Sequence, residues 1–311
     1  HPEFARFPSY ARDFHKMTDI FGIPIQALFG QLLLGLVNGS FYAMLSLGLA
    51  VIFGLLNVIN FAHGALYMLG AFVAWMGLSY LGLNYWIMLI LAPIVVGLFG
   101  ILIEKLLLKH LYKLDHLYGL LLTFGLTLLI EGLFRSFYGV SGQPYPTPDA
   151  LRGATNLGFM VLPNYRGWVV VASVIVCMST WFVIERTRLG ALLRAGTENP
   201  KLVEAFGVNV PRMITLTYGF GVALAGFAGV LAAPVLQISP LMGSNLIIVV
   251  FAVVVIGGMG SIMGAIVTGL GLGVIEGLTK VFWPEASSTV VFIIMAIVLL
   301  LRPAGLFGKE K

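Results

Sequence analysis

The chain has 311 residues, of which 59% are hydrophobic and only 10% are charged, and its formal net charge is +5. Soluble globular domains carry about 25% charged residues, so this composition excludes a protein with an ordinary water-soluble surface. No Asp, Glu, Lys or Arg occurs from Ile20 to Ile103 or from Met213 to Ile275. Charge-free stretches of this length indicate segments that lie in lipid or against other lipid-embedded segments.

Helices are the predicted spanning elements. A transmembrane β-barrel would show segments of about ten residues that alternate apolar and polar side chains, and the chain shows no such pattern. We therefore predict an all-α, polytopic transmembrane bundle of about eight to ten spans at about 20 residues each. One membrane domain is expected over 25–303, with spans near 25–43, 45–56, 62–82, 86–104, 117–138, 169–184, 213–233, 244–258, 261–279 and 288–302, of which 45–56 is too short to cross alone.

The basic residues predict an orientation. Most of the 18 Lys and Arg residues fall into four groups, and cytoplasmic loops of membrane proteins are enriched in these residues. The rule predicts both termini in the cytoplasm, as segment 1–24 and tail 304–311, together with a cytoplasmic loop at 185–212. The Pro- and Gly-rich segment 139–165 is expected to be the main external loop. Residues 1–16 are interpreted as an added leader or a mis-assigned start before Met17.

Other function classes find little support in the residues. The positive-inside pattern accounts for the net charge, so nucleic-acid binding is not expected. The five His residues show no metal-ligand spacing, and the single Cys177 sits in an apolar run as a small packing residue. The glycines at 257, 258, 260 and 264 lack the residues that complete a phosphate loop, so we interpret them as a tight turn with close helix packing. The chain is predicted not to be an enzyme.

Polar residues inside the apolar segments are the candidates for a substrate pathway. Such groups are costly in lipid unless they pair with one another or face a water-filled path. The alternative, hydrogen bonding that holds neighbouring helices together, is favoured for them. The candidates are Asn38, Ser40, Asn57, Asn60, His63 and Glu131.

Three acidic residues near the span ends have local explanations. Arg135 lies four residues after Glu131, so an ion pair within one helix is expected to neutralise this carboxylate. Glu276 has a similar position near the outer end of its span. Glu104 is expected to mark the inner membrane interface next to Lys105.

The segment 185–212 predicts two short helices between membrane spans. Leu189 to Ala195 favours one, and Pro200 to Phe206 favours the other, with Thr197 or Asn199 as its N-cap and Gly207 at its end. Such a pair offers a surface to a cytoplasmic partner. A merely solvated, basic loop is an equally good interpretation of these residues alone.

Two longer motifs carry a family resemblance. The segment GLVNGSFYAMLSLGLAVIFGLLNVINFAHGALYMLGAF, from Gly35 to Phe72, resembles the N-terminal signature of branched-chain amino acid ABC transporter permeases, in particular the H-type subunit. The segment VIGGMGSIMGA, from Val255 to Ala265, is similar to the glycine-rich C-terminal segment of that family. In 185–212, Glu204, Ala205 and Gly207 match the coupling motif of ABC importer permeases, with Phe206 in place of a second Ala.

The resemblance implies the permease subunit of an ATP-driven importer of branched-chain amino acids, with an internal pseudo-repeat that the residues support only faintly. It implies a second homologous permease, a periplasmic binding protein and two cytoplasmic ATPases that hold ATP and Mg, with no cofactor in this chain. The ATPases would dock on Arg194, Glu198, Asn199, Pro200, Glu204, Ala205, Phe206 and Gly207.

Three alternatives remain open. Relatives of this family carry urea, short amides or other amino acids. A secondary transporter driven by an ion gradient is a rival of another class, for which Glu131 is the deep acidic candidate. A purely structural membrane scaffold is the third interpretation.

Overall fold

The computed structural model describes residues 19–20, 22–56 and 59–308. The described part is predominantly helical, as the composition predicts. Its α-helices are α1 Ile25–Leu56, α2 His63–Leu81, α3 Tyr85–Leu106, α4 His116–Tyr138, α5 Asn164–Arg186, α6 Arg188–Glu198, α7 Pro200–Ala205, α8 Val210–Ala232, α9 Ser244–Gly257, α10 Ile262–Phe282 and α11 Val290–Leu301. Two antiparallel hairpins join β1 Asp19–Ile20 to β2 Ile23–Pro24 and β3 Ala154–Asn156 to β4 Val161–Pro163.

Seven of the described helices are long and apolar enough to cross a membrane, and two shorter apolar helices, α9 and α11, accompany them. Together they make nine, which lies within the predicted range of spans. The all-α, polytopic fold class is therefore confirmed. The boundaries of α8, α9 and α10 fall within about three residues of the predicted spans, because caps and glycines mark these helix ends in the sequence.

The predicted division of the first span into 25–43 and 45–56 is wrong, because α1 is one helix of 32 residues. Gly39 and Ser40, two residues of low helix propensity, are accommodated inside it. The Ser40 hydroxyl donates to the Leu36 carbonyl oxygen at 2.9 Å, so its polarity is satisfied within its own helix. Gly39 lies against the backbone of α10.

Glycines set the closest helix contacts of the bundle. A Cβ atom at Gly35 would lie 2.5 Å from the Gly273 carbonyl oxygen, and one at Gly269 would lie 2.5 Å from the Ala43 Cα. A Cβ at Gly70 would lie 2.6 Å from the Gly226 Cα, where α2 meets α8. Because small residues let backbones approach in lipid, these positions bring α1 against α10 and α2 against α8.

The bundle has two loop-bearing faces, named here by their longest loops. The 139–163 face also carries 233–243, since Gln143 and Ile238 form a backbone bridge. The 187–209 face lies at the other end of α5 and also carries 107–115. Residues 302–308 lie on this second face, because the Leu306 amide donates to the Ile256 carbonyl oxygen at 2.8 Å, next to the turn 258–261.

The described ends of the chain lie on opposite faces, whereas the sequence predicted both termini on one face. Phe29, in the first turns of α1, lies 4.9 Å from Phe159, ring centroid to ring centroid, on the 139–163 face. A Cβ at Gly54, near the other end of α1, would lie 3.1 Å from the Gly260 Cα beside 302–308. The difference follows from α1 being a single helix that runs from one face to the other.

Gly273→Ala is expected to destabilise the bundle by about 1–3 kcal/mol, because the new Cβ would overlap the backbone of Gly35 and Gly39. The matched control is Gly271→Ala on the same helix, where a Cβ meets no atom within 4 Å. The control should stay within about 1 kcal/mol of the unaltered chain. Thermal unfolding in detergent checks both variants, and equal stabilities would contradict the close contact of α1 with α10.

Candidate functional site

The elbow between α1 and α2, residues 59–62, is held by buried polar contacts. Asn60 is fully buried, its Nδ2 donates to the Tyr218 hydroxyl oxygen at 3.0 Å, and its Oδ1 accepts from the Ala62 amide at 3.1 Å. His63, also fully buried, lies with Nε2 at 3.0 Å from the Leu45 carbonyl oxygen and therefore donates to it. These bonds join the elbow to α8 and α1.

A third helix completes the support of the elbow. The Phe61 amide donates to Thr123 Oγ1 on α4 at 3.1 Å, and Thr123 is itself fully buried. The Phe61 amide lies outside any helix and has no helical carbonyl to bond to. The Thr123 side chain supplies its hydrogen-bond acceptor instead. Three helices fix the point at which the chain reverses direction.

The structure does not gather the predicted pathway residues into one group. Ser40 bonds within α1, while Asn60 and His63 lie at the elbow. Asn38 lies partly exposed on α1, and Asn57 falls outside the described residues. For Asn60 and His63 the observed contacts support hydrogen bonding between helices, which the sequence analysis favoured over a pathway role.

Glu131 has a different partner from the expected one. The carboxylate is buried on α4 and accepts a hydrogen bond from the Ser244 hydroxyl in the first turn of α9. The N-terminal end of a helix carries partial positive charge, which favours a carboxylate at this place. Arg135 is exposed, and among the described residues it forms no ion pair with Glu131. The predicted pair within α4 is therefore wrong.

Glu276 does form the kind of local pair that was expected at Glu131. Lys280 Nζ lies 2.6 Å from its Oε1, and the Tyr42 hydroxyl donates to its Oε2 at 2.6 Å. This carboxylate thus links α10 to α1 as well as to its own helix.

Glu104 anchors a polar cluster on the 187–209 face. The buried carboxylate accepts from the Tyr112 hydroxyl at 2.9 Å and from the Thr215 hydroxyl at 2.7 Å. Burial raises the pKa of Tyr112, and the neighbouring Glu104 raises this pKa further, so the phenol keeps its proton as a donor. Four further residues of these contacts were not predicted from the sequence: Tyr112, Thr215, Tyr218 and Ser244. Their one sequence signal is a hydroxyl in or next to an apolar span.

The 187–209 segment folds as two short helices, α6 and α7. The Asn199 side chain accepts from the Leu202 amide at 3.1 Å and caps α7, with Pro200 at its first position. Gly207 has a φ of 83°, a left-handed conformation that ends the helix. Arg194 Nη1 donates to the Ile184 carbonyl oxygen at 3.0 Å, which holds α6 against the end of α5.

This segment exposes apolar as well as polar side chains. Phe206 is 80% exposed, and Leu202 beside it is also exposed. Glu198, Glu204 and Ala205 are exposed as well. A contiguous exposed apolar group rimmed by polar residues is typical of a protein contact surface.

Aromatic side chains border the 139–163 face. The rings of Trp86 and Trp168 lie 5.4 Å apart, and Trp168 Nε1 donates to the Tyr85 hydroxyl at 3.0 Å. Two causes raise the pKa of Tyr145 to about 12: mainly its burial, and to a smaller extent the neighbouring Tyr85. A cavity of about 400 Å³ opens here between Tyr145, Trp86 and the 147–152 loop. Trp and Tyr are enriched where a membrane meets water, so this face lies at one membrane surface.

The described ranges contain no group of side chains that could bind a metal ion. Across 19–20, 22–56 and 59–308, no three His, Cys, Asp or Glu side chains are grouped so that they could hold an ion. The buried or half-buried carboxylates Glu104, Glu131 and Glu276 bond to hydroxyls or to a basic side chain instead.

Comparison with known proteins gives one consistent family. The family described as "Branched-chain amino acid transport system / permease component" matches residues 31–300. The chain is 32% identical to the high-affinity branched-chain amino acid transport system permease protein BraD of Pseudomonas aeruginosa, over 90% of this chain and 96% of the relative. It is 29% identical to permease protein LivH of Salmonella typhimurium, over the same shares.

A second group of relatives carries another subunit name. The chain is 29% identical to the high-affinity branched-chain amino acid transport system permease protein LivM of Escherichia coli, over 87% of this chain and 68% of the relative. No solved structure gives a significant match.

Tyr218→Phe is expected to destabilise the chain by about 1–3 kcal/mol, because it leaves Asn60 Nδ2 buried without its acceptor. Tyr118→Phe on α4 is the control, since this side chain is exposed. Thermal unfolding in detergent compares the two. If Tyr218→Phe were as stable as the control, the elbow would not depend on this bond.

Proposed function

The chain belongs to the family of branched-chain amino acid transport system permease components, and we propose that it is the membrane-spanning subunit of an ATP-driven importer for these amino acids. The observation that carries the proposal is the family match over 31–300, which covers nine of the eleven described helices in full and most of α1 and α11. The names of BraD and LivH support branched-chain amino acids as substrates. The largely apolar composition suits an aliphatic side chain.

We place the 187–209 face in the cytoplasm of a bacterium, with the chain in the inner membrane. Basic residues are concentrated there, and the positive-inside rule assigns such a face to the cytoplasm. The C-terminal residues 302–308 are then cytoplasmic, as the sequence predicted. The start of α1 is then external, because Phe29 contacts Phe159 on the opposite face. The basic residues of the cytoplasmic face are Lys105, Lys109, Lys113, Arg186, Arg188, Arg194, Lys201, Arg212 and Arg302.

The 187–209 segment is proposed as the docking site of the ATPases. Helix α6 is anchored to α5 through Arg194, and Asn199 caps the adjoining α7, so a push on this segment would be transmitted to a membrane helix. Exposed Phe206 occupies the centre of the predicted motif. ATP and Mg belong to the ATPase partners in this proposal, and the chain itself supplies no catalytic group.

The remaining partners follow from the same proposal. The similarity to both LivH and LivM supports a pore formed with a second, homologous permease. The substrate pathway would lie between the two subunits, since the core of this chain is filled by closely packed helices. A binding protein would deliver the substrate to the 139–163 face.

Gentle purification from the native host tests this assembly. We expect a second permease and two ATPases to remain bound, identified by mass spectrometry, with ATP hydrolysis stimulated by a leucine-loaded binding protein. If a urea- or amide-loaded binding protein stimulated hydrolysis and a leucine-loaded one did not, urea or an amide would be the assigned substrate. Recovery of the chain alone in several mild detergents would contradict the importer.

Phe206→Asp is expected to abolish ATPase co-purification and to lower leucine uptake by at least tenfold, because a charge replaces the exposed apolar centre of the docking segment. Val140→Asp makes the same kind of change at an exposed position on the opposite face and should retain the ATPases. If both variants retain the ATPases equally, the docking site lies elsewhere.

Glu131→Gln is expected to retain at least half of the leucine uptake, because an amide oxygen still accepts from Ser244. An ion-coupled transporter that uses this carboxylate would lose uptake altogether. Uptake is measured with and without a protonophore, at matched amounts of protein in the membrane. Loss of uptake in the variant, combined with inhibition by the protonophore at constant ATP, would favour the ion-coupled rival.

The orientation predicts which engineered cysteines an impermeant maleimide reaches. With the buried Cys177 replaced by Ser, Pro24→Cys should be labelled from outside intact cells, and Phe307→Cys only after the cells are opened. The reverse labelling pattern would show that the chain has the opposite orientation in the membrane. Labelling of both from outside, or of neither, would contradict the placement of the ends on opposite faces.

A further inference from the structure

A groove on the 187–209 face has the shape and charge of a lipid site. The cavity has a volume of about 770 Å³ and opens between the end of α3, the 107–115 loop and the start of α8. Its lining combines basic, hydroxyl and apolar side chains. The lining residues used below are Ile101, Glu104, Lys105, Lys109, Arg212 and Leu216.

The rim of the groove carries uncompensated positive charge. Lys105, Lys109 and Arg212 are exposed, and in the described ranges none of them forms an ion pair. The one acidic side chain in the lining, Glu104, is engaged by the Tyr112 and Thr215 hydroxyls. Three cations against one carboxylate favour an anionic occupant.

The walls below this rim are apolar and lead into the membrane. Ile101 precedes Lys105 by four residues on α3, and Leu216 follows Arg212 by four residues on α8. Residues four apart lie on one helix face, separated by about 6 Å along the axis. Each cation therefore sits above an apolar side chain that lies deeper in the bilayer. Leu216 is 64% exposed, so this wall is open to a hydrocarbon chain.

We propose that this groove binds one anionic phospholipid, with its phosphate at the basic rim and an acyl chain along Ile101 and Leu216. A soluble anion would use the rim and leave the apolar walls uncovered. A neutral lipid would cover the walls and leave the cations without a counter-charge. Basic pockets between transmembrane helices on the cytoplasmic side are suited to anionic headgroups, which accords with the proposed orientation. The inference is independent of the transported substrate.

The test measures lipid adducts of the intact full-length chain, in the complex in which it purifies, by native mass spectrometry. Phosphatidylglycerol and phosphatidylcholine with identical dioleoyl chains are titrated separately. The groove variant combines Lys105→Gln, Lys109→Gln and Arg212→Gln. The control combines Lys113→Gln, Arg186→Gln and Arg302→Gln, which removes the same charge from the same face outside both the lining and the 187–209 segment. Thermal unfolding verifies that both variants are folded.

We expect phosphatidylglycerol to bind at least tenfold more tightly than phosphatidylcholine. The groove variant should lose at least tenfold in phosphatidylglycerol affinity, and the control less than threefold. Equal loss in both variants would mean a diffuse attraction to the whole basic face and would overturn the site. Equal binding of both lipids would overturn the anionic selectivity. Displacement of the lipid by soluble glycerol phosphate at millimolar concentration would show a bare phosphate site and overturn the lipid assignment.

Discussion

Backbone contact between glycines is the constraint on which the arrangement of the bundle depends. In lipid there is little hydrophobic gain from burying one apolar helix against another, so association relies on close packing and polar contacts. The α1 backbone approaches α10 at Gly35, Gly39 and Ala43, and approaches α8 at Gly48, where a Cβ would lie 2.6 Å from the Gly221 carbonyl oxygen. Helix positions are therefore fixed by shape rather than by the number of apolar residues.

Polar side chains lie where a helix begins or turns, because backbone groups there lack hydrogen-bond partners within a helix. Asn60, Thr123 and Tyr218 all serve the elbow, where the chain leaves α1 and enters α2. Ser244 and Glu131 meet where α9 begins. An unsatisfied polar group in hydrocarbon costs several kcal/mol, so each partner stabilises a point at which a helix begins or turns. Polar residues of this kind contribute to architecture even when they lie far from any transported molecule.

Local patterns in the sequence predicted the helices well and the contacts between them poorly. The cap at Asn199, the stop at Gly207 and the glycine turn at 257–260 all depend on neighbouring residues, and the structure has each of them. The division of the first span into 25–43 and 45–56 failed because the low helix propensity of residues such as Gly39 mattered less than the fit of α1 against α10. Glu131 bonds to Ser244, which lies 113 residues away, so no local rule could identify this partner. The candidate pathway remains a prediction, since in the proposed assembly it depends on a surface formed with another chain.

The residues after α11 have a consequence for how the chain is made. The Leu306 and Phe307 amides donate to the Ile256 and Gly257 carbonyl oxygens at 2.8 and 3.1 Å, so the turn between α9 and α10 obtains two of its hydrogen bonds from the far end of the described chain. During synthesis these donors leave the ribosome about fifty residues after their acceptors, with α10 and α11 already between them. The turn is thus completed last, and a nascent chain that has not yet reached residue 306 leaves both carbonyl groups without these donors.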